Sequence, residues 1–311
     1  MVIGVVRNIM EKLRLVIGTH NGIFHIDETL AVVIMELAFP DCSILVVRSR
    51  DASVLSTCDV VFDVGGGIYD HHSVGFNIRR PTGELYASAG LAWREHGEKV
   101  IRNIAAKLGA YLTDEDVKAI KEEIDHQVLL PIDMEDNGEK MSTHLFSSIS
   151  YFLPSWLEEQ DFDSAFMQAE SSARETLYQI VKTMVSKHAS KYYLEERFSS
   201  AIDGILEIPA QTMPWKENIV AYNKDHDNKV KFVIFPYPDG GWAAQCVPPS
   251  MEKEFDQLVS FPAEWAGVDL KTLRTVSGIS DALFCHRGRF FVRAASKESV
   301  IEMCRIAMKA A

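Results

Sequence analysis

Two short clusters carry most of the chemistry available to this chain. The first is His20-Asn-Gly-Ile-Phe-His25-Ile-Asp27-Glu28; the second runs from Asp63 through Gly65, Gly66 and Gly67 to Asp70-His71-His72. Imidazole nitrogens and carboxylates together suit Mn, Fe, Co or Zn, and Mg where oxygen dominates. Two clusters rather than one suggest a site for two ions, so metal-dependent hydrolysis is the leading chemistry. His20, His25 and Asp27 sit on a short turn after a strand-like run, where backbone curvature converges side chains. Asp63 closes an apolar run, an unfavourable place for a carboxylate unless it is paired or binds a cation. The adjacent His71 and His72 point in different directions. One can ligate metal while the other faces substrate, with Asp70 fixing a tautomer from behind.

The elements that must hold these residues read as strand, loop, helix and two more strands. Residues 13–19 (LRLVIGT) are β-branched and end at a glycine-containing turn; residues 27–29 then offer a cap and first-turn negative charge for an almost wholly apolar helix, hence a buried one. Residues 43–48 (SILVVR) and 58–64 (CDVVFDV) read as further buried strands. Strands alternating with helices imply a parallel sheet, and both clusters fall beyond the carboxyl ends of strands, where such sheets gather ligands. Helical spacing continues over 86–107 and 113–127, with Thr113 three residues before Asp116 as a near capping box. Pro131 and the acidic Asn137-Gly138 turn then predict a loop bearing Asp133 and Asp136.

Further on, Phe162, Phe166, Ala169, Ala173, Leu177, Ile180, Met184 and His188 recur at three- and four-residue steps, a long amphipathic helix read as a connector. Residues 230–238, Asp239-Gly240-Gly241 and WAAQCV form a hairpin signature, and the chain ends in a β-β-α unit with a Ser296-capped helix. The fold expected is α/β. It comprises an N-terminal parallel-sheet domain (1–160), a connecting helix (161–200) and a smaller C-terminal α+β domain (201–311).

The formal charge of −12 argues against a broad basic surface gripping duplex nucleic acid. It leaves room for a phosphate substrate, because two divalent ions would add four positive charges at one point. No run approaches the ~18–20 apolar residues of a membrane span. Five cysteines without a C-x-x-C pair fit a reducing compartment, each read as a small buried apolar residue. The location expected is cytoplasmic; residues 1–13, apolar with Arg7 and Lys12, faintly resemble an organelle-targeting segment but read as a surface extension. P-loop, Rossmann, HExxH and GxSxG signatures are absent from the sequence, which removes the usual support for NTPases, dehydrogenases, zincins and serine hydrolases.

The ordered set HNG-x-FH-x-DE, DVGG, Tyr69-Asp-His-His, YASAGL (86–91), Asp133-x-x-Asp136-Asn-Gly, Pro214-Trp-Lys-Glu, Gln245-Cys-Val-Pro and Val276-Ser-Gly-Ile resembles the MYG (melanocyte proliferating gene) family of the DHH phosphoesterase superfamily. The resemblance runs from about residue 14 to the C-terminus. It implies a DHH-type N-terminal domain and metal-dependent phosphodiester hydrolysis, specifically a 3′–5′ exonuclease on single-stranded RNA. Carried over by motif, His20, His25, Asp27, Asp63 and His71 are metal ligands, joined by Asp133 or Asp136. Asp63, Asp70, His71 and His72 form the catalytic set. The wider superfamily usually has H-x3-D-x-D in its first motif; here His25 stands where a carboxylate is common, and the added imidazole favours Mn, Co or Zn over Mg, with Mn expected. The mechanism expected has two ions about 3.5–4 Å apart bridged by Asp63, activating water for in-line attack on phosphorus. His72 would bind or protonate the phosphate. Further phosphates would meet Arg79 and Arg80, and the basic hairpin of His286, Arg287, Arg289 and Arg293. The alternatives are a small-substrate phosphoesterase acting on pyrophosphate, a cyclic dinucleotide or short oligonucleotides, and a metal- or RNA-binding protein without catalysis. Oligomeric state is not readable from the sequence.

Overall fold

A computed structural model describes residues 13–139 and 145–311. The chain divides into two compact units, Met1–Val185 and Ser186–Ala311. The targeting reading of residues 1–13 lies, but for Leu13, outside the described residues. Among those described, no helix is long and apolar enough to cross a membrane.

The first unit is built on strands β1 (Arg14–Thr19), β2 (Ser43–Arg48) and β3 (Val60–Val61), in the order β2-β1-β3 and all parallel. The parallel sheet therefore follows from the strand–helix alternation as expected. Helix α1 (Ile26–Ala38) links β1 to β2, and Leu30 to Ile34 are fully buried, which is why the segment is apolar all round. After the short α2 (Ala52–Leu55), β3 is much briefer than the run 58–64 suggested. Asp63 adopts φ +60°, and Gly65 and Gly66 continue with positive φ, so the backbone leaves extended geometry before the apolar run is exhausted.

Helix α3 (Ser88–Leu108) ends in a left-handed Gly109, and α4 (Asp114–Ile124) starts in the capping box between Thr113 and Asp116. The loop expected at Pro131 is instead helix. A π-helical turn, Asp125–Leu129, continues α4 directly into α5 (Leu130–Asp136); the Leu130 N–H reaches back to the Asp125 carbonyl, and Pro131, which has no N–H to donate, falls where this widened turn ends. Asp133 and Asp136 are consequently held on a helix. Helix α6 (Phe162–Glu195) buries Phe166, Ala169, Ala173, Leu177, Val181 and Val185 in the core that includes α1 and α3. The division of the chain thus falls inside α6, because this buried face makes most of the helix part of the first unit rather than a separate connector.

The second unit contains a five-stranded mixed sheet, β4 (Ile205–Glu207), β5 (Phe232–Pro236), β6 (Trp242–Cys246), β7 (Ala282–Cys285) and β8 (Phe291–Ala294), in the order β4-β5-β6-β8-β7. The hairpin pairs β5 with β6, as the Asp239-Gly240-Gly241 turn predicts, while β4 lies parallel to β5. Phe232 and Ile234 enter one core with α8 (Leu270–Ser277) and α9 (Lys297–Ala310); Val233 and Phe235 enter a second with α7 (Lys216–Asp225). Covering both faces explains why FVIF is continuously apolar rather than alternating. Ser296 caps α9 by accepting from the Ser299 N–H. Cys246, Cys285 and Cys304 are buried here, whereas Cys42 and Cys58 of the first unit are half-buried.

Candidate metal centre

His20 follows the last residue of β1, and Asp63 stands two residues after β3, so the carboxyl edge of the parallel sheet delivers both. Helix α1 brings His25 at its cap and Glu28 in its first turn; the loop at 70–72 brings His71 and His72; α5 brings Asp136. The result is two groups, His20–His25–Glu28–Asp63 and Asp63–His71–His72–Asp136, in which one potential ligand atom from each member lies within 4.8 Å of the others. Asp63 belongs to both.

The contacts show how tightly Asp63 is surrounded. Its Oδ2 is 3.2 Å from His20 Nε2, and its Oδ1 is 3.4 Å from His71 Nδ1 and 3.3 Å from His72 Nε2. Yet neither oxygen has a properly aligned hydrogen bond, although the residue is 2 % exposed. A buried carboxylate in that state needs a cation. Its neighbours are nitrogen and oxygen donors in the proportion that divalent transition ions take, so the residues fit such an ion. His20 is oriented for ligation: its Nδ1 donates to the Asn21 carbonyl at 3.2 Å, which leaves Nε2 facing Glu28 at 3.1 Å and Asp63. His71 Nε2 meets Asp136 Oδ2 at 2.7 Å.

Glu28 is the member that sequence reading missed, having been read as first-turn charge. It is fully buried, and its carboxylate also accepts from the His25 N–H at 3.0 Å as half of a capping box. The visible signal was its i+3 spacing from His25, which returns both residues to one side of the helix.

Other expected ligands have different partners. Asp27 accepts from the Ser88 and Ala89 N–H groups at 2.9 and 2.7 Å, supplying from α1 the cap that Ala87 cannot give α3; His71 Nδ1 is 3.9 Å away. Burial, with Asp136, Asp133 and Asp63 nearby, pushes Asp27 well above the usual carboxylate range. Asp133 accepts from the Gly90 N–H at 3.0 Å and pairs with Arg80 at 2.8 Å. A β-carbon at position 90 would lie 1.8 Å from Asp133 Oδ2, so the glycine of YASAGL is dictated by this approach. Asp70 does not touch either imidazole; it accepts from the Gly66 and His72 N–H groups at 2.7 and 3.0 Å and thereby shapes the loop.

The expected phosphate-binding residues separate similarly. Arg80 is 5 % exposed, forked between Asp125 and Asp133 and stacked 4.2 Å from the Tyr86 ring, which makes it a structural cation. Arg79 is exposed, bonded to Asn77 and the Gly83 carbonyl. In the second unit, His286, Arg287 and Arg289 form the β7–β8 turn, with His286 Nδ1 accepting from the Gly288 N–H. Arg293 is held by Asp239 at 2.6 Å.

The protonation of the centre sets its response to pH. Burial opposes a charged His20, but the Asp63 and Glu28 carboxylates beside its Nε2 overcome it and raise its pKa to about 10; His71 is also raised, burial being outweighed by Asp136 and Asp63. An incoming ion must displace these protons, since it binds neutral imidazole. Metal affinity therefore rises with pH from neutrality toward about 10, roughly tenfold per unit for each proton displaced. Calorimetric titration with Mn2+ in buffers of different ionisation enthalpy checks this. An affinity flat between pH 6.5 and 8.5, with no proton release, contradicts it.

The sheet and the two groups sharing Asp63 define an α/β protein with a candidate metal centre beyond the carboxyl ends of its strands. Residues 16–308 match MYG1_exonuc, an uncharacterised protein family (UPF0160), and the chain belongs to that family. A MYG1 exonuclease of Mus musculus is 29 % identical over 93 % of this chain and 83 % of its own length. MYG1 proteins of Schizosaccharomyces pombe and Chlamydia pneumoniae are each 29 % identical, over 94 % of this chain and 97 % and 96 % of theirs. No solved structure matches.

Proposed function

We propose that this chain is a metal-dependent phosphodiester hydrolase of DHH-phosphoesterase type, a 3′–5′ exonuclease on single-stranded RNA. The observation that carries the reading is the buried Asp63 carboxylate, without an aligned hydrogen bond and common to two histidine–carboxylate groups. Support comes from relatives that bear the name MYG1 exonuclease in mouse and human. His20, His25, Glu28 and Asp63 would hold one ion, and Asp63, His71 and Asp136 a second, with Mn the expected metal. Bound divalent ions would supply Lewis-acid polarisation of the phosphate and a water nucleophile at neutral pH. His72, whose side chain is 59 % exposed, is assigned to the substrate phosphate. Asp27, Asp70 and Asp133 position the elements that carry the ligands. The second unit is assigned to substrate binding, with Arg287 its best candidate cation because Arg293 already has Asp239. Cysteine usage supports a reducing, cytoplasmic setting.

The test uses metal-stripped protein and a 5′-labelled oligonucleotide as single-stranded RNA, single-stranded DNA or duplex, with Mn, Mg, Co or Zn restored in turn. The expected result is a ladder shortening from the 3′ end on single-stranded RNA, strongest with Mn. Binding of the ions without cleavage of any strand, or cleavage confined to pyrophosphate or a cyclic dinucleotide, overturns it.

A further inference from the structure

A pocket of about 490 Å3 in the first unit shares three walls with the candidate metal centre: His25, His72 and Asp136. Its volume falls in the range of small-molecule sites, roughly 300–1,000 Å3. Beyond those three residues the described lining is largely apolar: Ile26 and Leu153 are half-buried and face the space, and Phe24, Ile132, Phe146 and Ile149 back it from the core, each no more than 3 % exposed. Ser147, Ser150 and Glu135 contribute polar atoms, and among the described residues no lysine or arginine lines the pocket. Such a space does not suit a second phosphate, which would seek cations and backbone N–H donors. It suits a group that is apolar on its faces, polar at its edges and joined to a phosphate held at the centre.

We infer that this pocket is the subsite for the terminal nucleoside of the substrate, receiving the base while its phosphate lies at the His25–His72–Asp136 edge. The inference rests on the exonuclease reading of the same centre and deepens it. The base packs against the half-buried Ile26 and Leu153, with Ser150 and Glu135 at the exposed rim beside its edge. A pocket for a single nucleoside selects chain ends, since an internal nucleotide would need an exit for the next residue. The gain comes from burying a flat, sequence-tolerant face, so all four bases are accepted.

The test is equilibrium binding of AMP, UMP and ribose 5-phosphate to the Mn-loaded full chain, in the wild type and in Ser150→Trp. Ser150 is an exposed lining residue, so the indole fills the pocket from its rim. AMP and UMP bind about 10- to 100-fold more tightly than ribose 5-phosphate, and the substitution collapses that ratio toward one. If Ser150→Trp fails to melt cooperatively, Glu135→Phe, at another exposed wall position, takes its place. Equal binding of the three ligands, or a ratio that survives the substitution, overturns the inference even if the protein degrades RNA. A ratio lost on substitution in a protein that cuts no oligonucleotide supports the nucleoside subsite and removes the exonuclease reading.

Discussion

Asp63→Asn lowers turnover by about a thousandfold or more and removes the stabilisation that metal confers. Asparagine tolerates the positive φ at this position, so the substitution changes charge with little backbone strain. What it removes is the one carboxylate common to both groups, within 3.2–3.4 Å of three imidazoles. If the ions contribute several kcal/mol to the transition state, losing their shared ligand removes about three decades, at ~1.36 kcal/mol per decade. For the wild type, metal at a hundredfold excess over Kd adds ~2.7 kcal/mol and raises Tm by roughly 5–10 °C. The variant shows little of that rise, while its metal-free melting stays cooperative. Single-turnover cleavage and scanning calorimetry with and without Mn2+ make the comparison. Turnover within tenfold of the wild type, or an undiminished metal-induced rise, would remove Asp63 from the centre of the site.

Arg80→Met destabilises the first unit by about 3–5 kcal/mol, a fall in Tm of roughly 6–20 °C. The guanidinium donates to both Asp125 oxygens at 2.8 Å while its Nη2 reaches Asp133 at 2.8 Å, and Asp133 is wholly buried. Methionine fills the space but leaves that carboxylate without its cation. Lysine rescues poorly, since one ammonium cannot span both partners as the planar fork does. Burial already raises Asp133 to about 6 despite Arg80, and losing Arg80 raises it further. A carboxyl with a raised folded-state pKa binds protons more readily folded than unfolded, so it destabilises the fold increasingly as pH climbs above ~4 through the folded value. The deficit of Arg80→Met is therefore smaller at pH 5 than at pH 8. Urea unfolding at both values tests it. An unchanged midpoint with a raised KM would return Arg80 to the substrate-binding role suggested by its place in the sequence.

Much of the scaffold was legible because its causes are local. The β-branched run before His20, the apolar helix after it, the Thr113–Asp116 box and the Asp239-Gly240-Gly241 hairpin each follow from residues a few positions apart. The misreadings arose where one local signal met a longer-range one. Pro131 reads as a breaker until the π-helical turn before it is seen to carry the helix through from α4 to α5. The 58–64 run reads as a full strand until Asp63 turns the backbone to positive φ. The long helix reads as a connector until its small-residue face is seen packed into the first unit's core.

The donor types, and the fact that two groups of them follow buried strands, are readable along the chain because strand period, turn glycines and histidine spacing are properties of short segments. Which members meet is set by the packing of distant elements. Asp27, Asp63, Asp70, Asp133 and Asp136 are chemically alike, and no local rule separates them. The packing of α1 on α3 turns Asp27 toward the Ser88 and Ala89 N–H groups and leaves Glu28 at the centre. The close approach at Gly90 and the buried Arg80 claim Asp133, while Asp136 reaches His71. Asp63 alone is left between the two groups, since a carboxylate's role depends on which donors surround it in three dimensions.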